Sequence, residues 1–254
     1  MPKFHSLKIS DVRRETDECV SVAFSVPENL WPEYEFAPGQ YLTLRTDLGG
    51  EEVRRTYSIC AGPSDGELRV AIKKVEGGRF STFANEDLRA GQDLDVMTPM
   101  GKFTVTLDPA HQKHYVAFAA GSGITPILSI LKAVLETEPE SEFTLFYGNR
   151  RTDSIIFHEA IEGLKNEHMG RLSVHHVLSR EHTGSDLFSG RIDTDKCRVF
   201  FEKLIDLDSV DEFFLCGPYD MTMAIREWLE KHGAPRKHIH LELFTTGNGQ
   251  TGRK

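Results

Sequence analysis

Closely spaced cysteines and an excess of positive charge are both missing from this sequence of 254 residues. The four cysteines are scattered and include no Cys-x-x-Cys pair, so the chain is not expected to hold an iron–sulfur cluster or a structural zinc ion. The net charge is −9, which argues against binding to nucleic acid, because that affinity comes from basic residues that neutralise phosphates.

An uninterrupted hydrophobic run is also missing. Residues 116–135 are about as long as a membrane span, but Gly121, Gly123 and Pro126 divide them into a strand, a turn and a helix. No membrane segment is therefore expected. The start of the chain has no secretory signal pattern, so we expect a cytoplasmic protein with free thiols.

Metal-ligand and hydrolase motifs are absent as well. The 11 histidines show no His-Glu-x-x-His or similar spacing, and no Gly-x-Ser-x-Gly elbow is present. The adjacent His175 and His176 fall on a predicted strand, where they would face opposite ways and could not share one metal ion. The sequence therefore predicts no metal site.

The length of the chain favours two domains. Up to residue 108, short alternating segments predict a small antiparallel β-barrel, with strands at 19–26, 39–46, 54–59, 67–75 and 102–107. From residue 109 to 245, strands alternate with helices and predict an α/β domain with a parallel sheet. Residues 246–254 are rich in glycine and threonine and are expected to be a flexible tail or the start of a linker.

The second half contains the segment AAGSGITP, in which a predicted strand is followed by a helix start. Thr125 is expected at the N-cap and Pro126 at the first helical position. Gly121 and Gly123 would let the backbone approach a ligand, and the free amides at the helix start attract an anion. Taken alone, the same turn is equally consistent with tight packing.

The first half contains two segments of interest, RRTYSIC and EGGRFSTFANEDL. In the first, Arg55 and Tyr57 share one face of a strand and Ser58 lies on the other. In the second, Ser81 is expected to cap a short helix beside the positive charge of Arg79. A hairpin followed by a capped helix would also explain the second segment.

Several motifs occur together in one order along the chain: FAPGQYLTL, RRTYSIC, GGRFSTFAN, AAGSGITPIL, FYGNRRTDSIIF, LSRE, FFLCGPYDM and HLELF. This order resembles that of ferredoxin–NADP reductase-like flavoenzymes, over nearly the whole chain. Within that family, the chain is most similar to the reductase subunits of bacterial phenylacetyl-CoA monooxygenases (epoxidases). In those subunits a plant-type ferredoxin domain follows the flavin and nucleotide domains, and that third domain is absent here.

The resemblance implies an FAD site in the first domain. Arg55 would hold the FAD pyrophosphate, Tyr57 would pack on the flavin, and Ser58 would reach its reactive edge. The segment that cradles the diphosphate is implied to contain Gly78, Phe80, Ser81 and Thr82. The strand that passes the flavin ring is implied to contain Ile72 and Lys73.

The resemblance also implies a nicotinamide site in the second domain. The nucleotide loop matches Gly121, Gly123 and Thr125, and Thr125 would also lie close to the flavin. The family's Cys-Gly-Pro turn matches Cys216, Gly217 and Pro218, with the thiol near the nicotinamide. Glu242 and Phe244 would lie near the nicotinamide and the flavin face, although the chain continues ten residues past Phe244. Ser58, Thr125, Cys216 and Glu242 are the residues expected to act in catalysis.

Arginines at the predicted strand ends bear on the choice of nicotinamide cofactor. An acid at the end of the second parallel strand would favour NAD, but here the segment is YGNRR. Arg150 or Arg151, with Ser179 and Arg180 after the next strand, would suit the extra phosphate of NADP. We therefore expect NADPH as the donor, with NADH as the alternative donor. The alternative role for these arginines is that they are solvated surface residues that bind no cofactor.

The expected function is transfer of hydride from NADPH to FAD, followed by transfer of single electrons to an iron–sulfur acceptor. The iron–sulfur cluster would lie in an absent ferredoxin domain or a separate protein, and an oxygenase component is the expected further partner. Two alternatives are a stand-alone ferredoxin or flavodoxin reductase and a non-catalytic flavin-binding interaction module.

Overall fold

The computed structural model describes residues 3–244. Its strands are β1 (Phe4–Thr16), β2 (Cys19–Ser25), β3 (Tyr41–Asp47), β4 (Glu52–Ser58), β5 (Leu68–Lys73), β6 (Asp93–Met97), β7 (His114–Ala120), β8 (Glu142–Asn149), β9 (Leu172–Leu178), β10 (Glu212–Gly217) and β11 (Ile239–Leu243). Its helices are α1 (Trp31–Tyr34), α2 (Arg79–Glu86), α3 (Ile124–Thr137), α4 (His158–Glu167), α5 (Thr194–Lys203) and α6 (Tyr219–Lys231). Short 3-10 turns occur at Glu28–Leu30, Gly121–Gly123, Thr152–Ser154, Leu207–Ser209 and Arg236–His238.

The first six strands form an antiparallel sheet in the order β4-β3-β6-β1-β2-β5. A bridge between Ile59 and Val70 joins its two edges just beyond β4, so the sheet closes into a barrel. Closure leaves no long unpaired edge, and the side chains that alternate inward fill the barrel interior. Leu42, Leu44 and Val96 are among those that are fully buried.

The last five strands form a parallel sheet in the order β11-β10-β7-β8-β9. The chain moves from β7 to β8 and β9 on one side and then returns to place β10 on the other side of β7. The direction of winding therefore reverses between β7 and β10, which is where open α/β sheets bind their ligands. The predicted fold class, a barrel followed by an α/β domain, is confirmed.

The two domains share part of their core. Phe103, in the connection after the barrel, packs edge-on against Phe214 of β10, with ring centroids 5.5 Å apart. The Ser129 hydroxyl in α3 donates to the Ala61 carbonyl oxygen at 2.7 Å, and Lys132 pairs with Asp65 at 2.6 Å. These contacts fix the barrel against the face of α3.

One strand prediction in the barrel is wrong, and two strands of the barrel were missed. Residues 102–107 are not a strand, because Phe103, Val105 and Leu107 pack on the core of the second domain instead of joining a ladder. Strand β1 was not predicted, because a register shift between Ile9 and Asp11 interrupts its alternation. Strand β6 was also missed, because it is only 5 residues long.

Two predicted helix caps are also wrong. Helix α2 has Gly78 at its N-cap, so Ser81 lies inside the first turn and its hydroxyl donates to the Gly78 carbonyl at 3.1 Å. Helix α3 has Gly123 at its N-cap, because the turn Gly121–Gly123 already has helical geometry at its end. Thr125 therefore lies in the first turn, where its hydroxyl donates to the Ser122 carbonyl at 3.0 Å.

The connection between the two sheets, residues 98–113, contains the predicted boundary between residues 108 and 109. The division into 1–108 and 109–245 remains a prediction, and the predicted tail at 246–254 lies outside the described residues. Within residues 3–244, no helix is long and apolar enough to cross a membrane.

Candidate active site

The candidate site lies where the carboxyl ends of β7 and β10 meet. A side chain at Gly123 would place its Cβ 2.6 Å from the Cys216 carbonyl carbon, so only glycine lets the two segments approach this closely. At Gly217, a Cβ would lie 2.7 Å from the methyl group of Met221. Gly121 has a positive φ of 53°, which again favours glycine. These three predicted residues therefore lie at an open crevice at the switch point.

Cys216 and Glu242 lie side by side in this crevice, because β10 and β11 pair in parallel with these two residues in register. The Cys216 side chain is fully buried. Burial, followed by the negative charge of Glu242, raises the pKa of the Cys216 thiol well above its usual value. Cys216 is therefore a neutral thiol at physiological pH, suited to packing and not to nucleophilic attack.

Glu242 connects the two domains. The Ser58 hydroxyl at the end of β4 donates to Glu242 Oε2 at 3.4 Å. Burial raises the pKa of Glu242 to about 7, and the hydrogen bond from Ser58 opposes that rise. The carboxyl group is thus poised to hold or release a proton near neutral pH.

Arg55 and Tyr57 lie on the strand that leads to Ser58. The Arg55 guanidinium is exposed, and its only hydrogen bond among the described residues is from Nη1 to the Arg54 carbonyl oxygen at 2.7 Å. Tyr57 packs on Phe80, with ring centroids 5.7 Å apart, and burial raises its pKa well above the usual range. A free cation and a supported aromatic ring therefore stand next to each other, as predicted.

The start of α2 faces the same region. A Cβ at Gly78 would lie 2.5 Å from the Ser81 hydroxyl oxygen, so the Ser81 side chain packs directly against this glycine. The first turn contains no acidic residue, and amides at a helix start attract anions. Thr82 is half-buried on this turn, and Phe80 is fully buried behind it, where it supports Tyr57. This cradle fits a dinucleotide diphosphate.

Lys73 and Ile72, at the end of β5, point in different directions. The Lys73 ammonium lies 3.8 Å from the ideal Cβ position of Gly121, so the barrel presents a cation to the nucleotide loop. Ile72 is fully buried in the barrel core. Only its backbone could face a ligand, and its carbonyl already accepts a hydrogen bond from Asn85 at 2.9 Å.

The four residues proposed to select NADP meet at the ends of β8 and β9. The Ser179 amide donates to the Asn149 carbonyl, and the Arg180 amide donates to the Arg150 carbonyl at 2.8 Å. Arg150, Arg151 and Arg180 are exposed, and Arg151 pairs with Asp153 at 3.5 Å. This cluster lies on the other side of β7 from Cys216. Its separation from the crevice is the arrangement that an extended dinucleotide requires.

Phe244 and Pro218 lie at the exposed edge of the crevice. Phe244 is 41% exposed, and Tyr219, which follows Pro218 and begins α6, is 61% exposed. The predicted residues thus line an open surface. Two cavities of about 250 and 490 Å³ lie elsewhere and include none of them.

Two contributing residues were not predicted. The Tyr147 hydroxyl in β8 donates to the Gly121 carbonyl at 3.0 Å and so holds the nucleotide loop in place. Glu181 accepts hydrogen bonds from the Thr152 amide and hydroxyl, both at 2.8 Å, and so orders the segment after Arg151. Both act through tertiary contacts that leave no signal in the local sequence.

Two family models match successive parts of the chain. Residues 7–105 match an oxidoreductase FAD-binding domain, and residues 118–227 match an oxidoreductase NAD-binding domain. The crevice therefore lies between an FAD-binding and an NAD-binding domain. The predicted cofactors, FAD and NAD(P)H, are confirmed at this level.

Curated relatives include oxygenase reductases. The chain is 46% identical to one of the subunits of 1,2-phenylacetyl-CoA epoxidase from Escherichia coli (strain K12), over 97% of this chain and 69% of the relative. It is 33% identical to the ferredoxin reductase component of 3-ketosteroid-9-alpha-monooxygenase from Rhodococcus rhodochrous, over 96% of this chain and 66% of that protein. The chain thus spans about two thirds of the length of these relatives.

Solved structures show the same fold. The cytochrome P450 reductase of Amycolatopsis superposes with a TM-score of 0.80 at 24% identity, over 96% of this chain and 71% of the other. A ferredoxin NADP+ reductase from Neisseria gonorrhoeae, with bound FAD and NADP, superposes with a TM-score of 0.78 at 21% identity, over 95% and 98% of the two chains.

Proposed function

The chain belongs to the ferredoxin reductase-like family of FAD- and NAD-binding oxidoreductases, and from this membership we propose that it is the NADPH-dependent reductase component of a phenylacetyl-CoA monooxygenase. The observation that carries the proposal is the meeting of Ser58, Cys216 and Glu242 at the switch point. There the strand that bears Arg55 and Tyr57 ends against the nucleotide crevice. Bound FAD supplies the conversion of a two-electron donor into one-electron steps.

The barrel residues hold FAD in this proposal. Arg55 supplies a planar, permanently charged fork for the pyrophosphate, and the first-turn amides of α2 supply further donors. Tyr57, supported by Phe80, supplies the surface on which the flavin packs. None of these groups needs to change its protonation state, so their role is binding and orientation.

The crevice residues position the nicotinamide. Gly123 holds the nucleotide loop against the end of β10, because a Cβ at this position would clash with the Cys216 carbonyl group. The neutral Cys216 thiol packs beside the nicotinamide ring, and Ser58 and Glu242 form its polar border. Fixing two reacting atoms about 3–3.5 Å apart is worth several kcal/mol of the barrier, without any acid or base.

Arg150 and Arg180 select NADPH in this proposal. Their backbones are hydrogen-bonded to each other and their side chains are exposed, so both guanidinium groups are available to one phosphate. Charge-assisted hydrogen bonds of this type are about twice as strong as neutral ones. NADH lacks the phosphate and would lose these bonds.

The electron acceptor is an iron–sulfur centre outside the described residues. It lies either in a ferredoxin domain or in a separate protein, and an oxygenase component is the final partner. The support is that the relative that is 46% identical is named as a subunit of an epoxidase. We also infer a cytoplasmic location, which the four free and buried thiols support.

A second candidate is a stand-alone ferredoxin reductase. The observation behind it is that a ferredoxin NADP+ reductase from Neisseria gonorrhoeae, with bound FAD and NADP, has the same two-domain fold. The two candidates share the same site and differ only in the acceptor.

The test begins with the purified chain, whose flavin absorbance is followed during anaerobic titration with NADPH or NADH. We expect a yellow protein that NADPH bleaches and that then reduces an added [2Fe–2S] ferredoxin. A protein that cannot be reconstituted with FAD would refute the proposal. Bound flavin that neither nucleotide reduces would instead identify a non-catalytic flavin-binding module. The two candidates are then separated by a comparison of acceptors. The first candidate should support phenylacetyl-CoA oxidation with an oxygenase component, whereas the second should transfer electrons to a free ferredoxin only.

A further inference from the structure

A second group of chemically active side chains lies outside the crevice, between α4 and β9. It consists of His158 and Glu162, which are one helical turn apart on α4, and His176, which projects from β9 toward that helix. Residues at i and i+4 lie on the same face of a helix. One nitrogen or oxygen atom from each of the three lies within 4.8 Å of the other two.

The spacing fits one shared ion. The distance between His176 Nε2 and Glu162 Oε1 is 3.2 Å. In a tetrahedral zinc site, with bond lengths of roughly 2.0–2.2 Å, neighbouring ligand atoms lie about 3.3 Å apart. This pair already has nearly that separation, and the His158 ligand atom lies within 4.8 Å of both. The His158 and His176 rings meet edge to face, with centroids 5.3 Å apart.

His176 also has an unsatisfied polar atom. Its Nδ1 is buried and has no hydrogen-bond partner among residues 3–244, so Glu162 is the only side chain there that is hydrogen-bonded to this ring. The neighbouring His175 has a different environment, stacked between the rings of Phe146 and Phe188. This confirms that the two adjacent histidines face opposite ways, and it leaves His176 free to join ligands from α4.

The cluster has an entry path. His158 lines the cavity of about 490 Å³, which also borders Thr152 and Glu159. The Lys165 ammonium would compete with a metal ion for Glu162, because it lies 3.8 Å from Glu162 Oε2. Lys165 is 42% exposed, so it can swing into solvent when a cation binds.

We propose that His158, Glu162 and His176 form a binding site for a divalent transition metal ion, for which Zn²⁺ is the best match. Two imidazoles and one carboxylate are ligands that zinc accepts, whereas Mg²⁺ demands oxygen ligands. Three protein ligands leave the fourth position to water, on the side that faces the cavity. The site is independent of the proposed reductase activity, since it includes none of the crevice residues.

The test is isothermal titration calorimetry of the FAD-loaded chain, stripped with EDTA, with Zn²⁺ as the probe and Mg²⁺ as the comparison ion. We expect one zinc ion per chain, with no saturable heat from Mg²⁺. His158→Gln and Glu162→Gln should each weaken zinc binding at least about tenfold, because loss of even an outer-shell partner of a metal ligand costs about 10- to 100-fold. Matched controls are Glu159→Gln, on the same helix, and His182→Gln, on an exposed loop, and both should bind as the wild type does.

The variants are first checked by thermal unfolding without metal, and zinc should raise the midpoint of the wild type and the controls only. Absence of saturable 1:1 binding to the wild type would overturn the proposal. So would zinc binding that both ligand variants retain, since the ion would then lie elsewhere. In either case, Glu162 and His176 form only an ordinary half-buried pair.

Discussion

The Ser58 hydroxyl donates a hydrogen bond to the Glu242 carboxylate at 3.4 Å, across a separation of 184 residues in the chain. One partner ends a barrel strand and the other lies on the last strand of the parallel sheet. Glu242 is also in register with Cys216. The contact therefore places a barrel residue, Ser58, close to two residues of the parallel sheet in the crevice. The fold thus places a carboxyl group with a raised pKa at the domain boundary.

Glu242→Gln should change stability in a pH-dependent way. The pKa of Glu242 is raised to about 7 in the folded chain, from an ordinary value of 4.5. Between these values the folded state holds a proton that the unfolded state has lost, so stability falls as pH rises toward 7. At pH 8 the variant should be more stable than the wild type, by on the order of 1–3 kcal/mol. At pH 4.5 and below the difference should vanish.

Urea unfolding at the two pH values measures this difference, with samples of matched flavin content. The exposed Glu227→Gln serves as the control and should show no pH-dependent change. Equal destabilisation of Glu242→Gln at both pH values would contradict the prediction.

Arg55→Ala should weaken FAD binding, since it removes the free cation beside Tyr57. Loss of a hydrogen bond to a charged group costs about 1.5–3 kcal/mol, which corresponds to roughly a 10- to 150-fold rise in the FAD dissociation constant. Arg54→Ala is the matched control, because the neighbouring Arg54 pairs with Glu52 at 2.6 Å on the opposite face of the strand. Flavin fluorescence during reconstitution measures both. Equal retention of FAD by the two variants would remove Arg55 from the site.

The sequence predicted most of this architecture through local patterns. The central strands β7 and β10 are nearly continuous hydrophobic runs, so residues 114–120 and 212–217 needed no tertiary information to be identified. The glycines at positions 121, 123 and 217 were identified from the motif, and the structure explains Gly121 by its positive φ and Gly123 by the close approach of the Cys216 backbone.

Features that depend on distant contacts were missed. Residues 102–107 alternate like a strand, but their apolar side chains pack on a core formed mostly by later residues. Tyr147 reads as an ordinary buried strand residue, and only the folded chain shows its hydrogen bond to Gly121. The cluster around His176 was missed for the same reason, because its helix ligands precede it by 14 residues or more.

Cys216→Ala should slow reduction of the flavin by NADPH and leave FAD bound. The thiol packs at the position proposed for the nicotinamide, and a misplacement of about 1 Å can cost on the order of 100-fold in rate. Anaerobic stopped-flow absorbance measures the rate. Cys197→Ala is the control, since it removes an equally buried thiol from the far core of the same domain. A similar slowing in both variants would indicate general loosening of the domain instead.

Arg180→Ala should shift the preference from NADPH toward NADH. It removes one of the two exposed guanidinium groups that meet at the ends of β8 and β9. We expect KM for NADPH to rise roughly 10- to 100-fold, corresponding to about 1.5–3 kcal/mol, with little change for NADH. Steady-state kinetics with both donors measure this, with the exposed Arg191→Ala as control. An equal rise of KM for both donors would contradict selection by Arg180.

Glu138→Ala should destabilise the connection between the domains. Glu138 is fully buried and accepts hydrogen bonds from the Tyr115 hydroxyl at 2.9 Å and the Ser141 hydroxyl at 2.8 Å. It also lies 2.8 Å from His111 Nδ1 and accepts from the Asp108 amide at 3.2 Å. Burial raises the pKa of Glu138, but these hydrogen bonds outweigh it, so the pKa is lowered overall.

Truncation leaves several buried donors without an acceptor, for which the expected loss is about 3–5 kcal/mol of unfolding free energy at pH 7. A lowered pKa means that the part of this stabilisation that depends on the charge of Glu138 is fully present above pH 4.5 and is lost as pH falls through the lowered pKa. The difference between the wild type and Glu138→Ala should therefore shrink in acid, whereas the exposed Glu140→Ala should match the wild type throughout. Urea unfolding at pH 7 and pH 4 separates these outcomes. A difference that stayed constant with pH would mean that Glu138 contributes through packing, not through its charge.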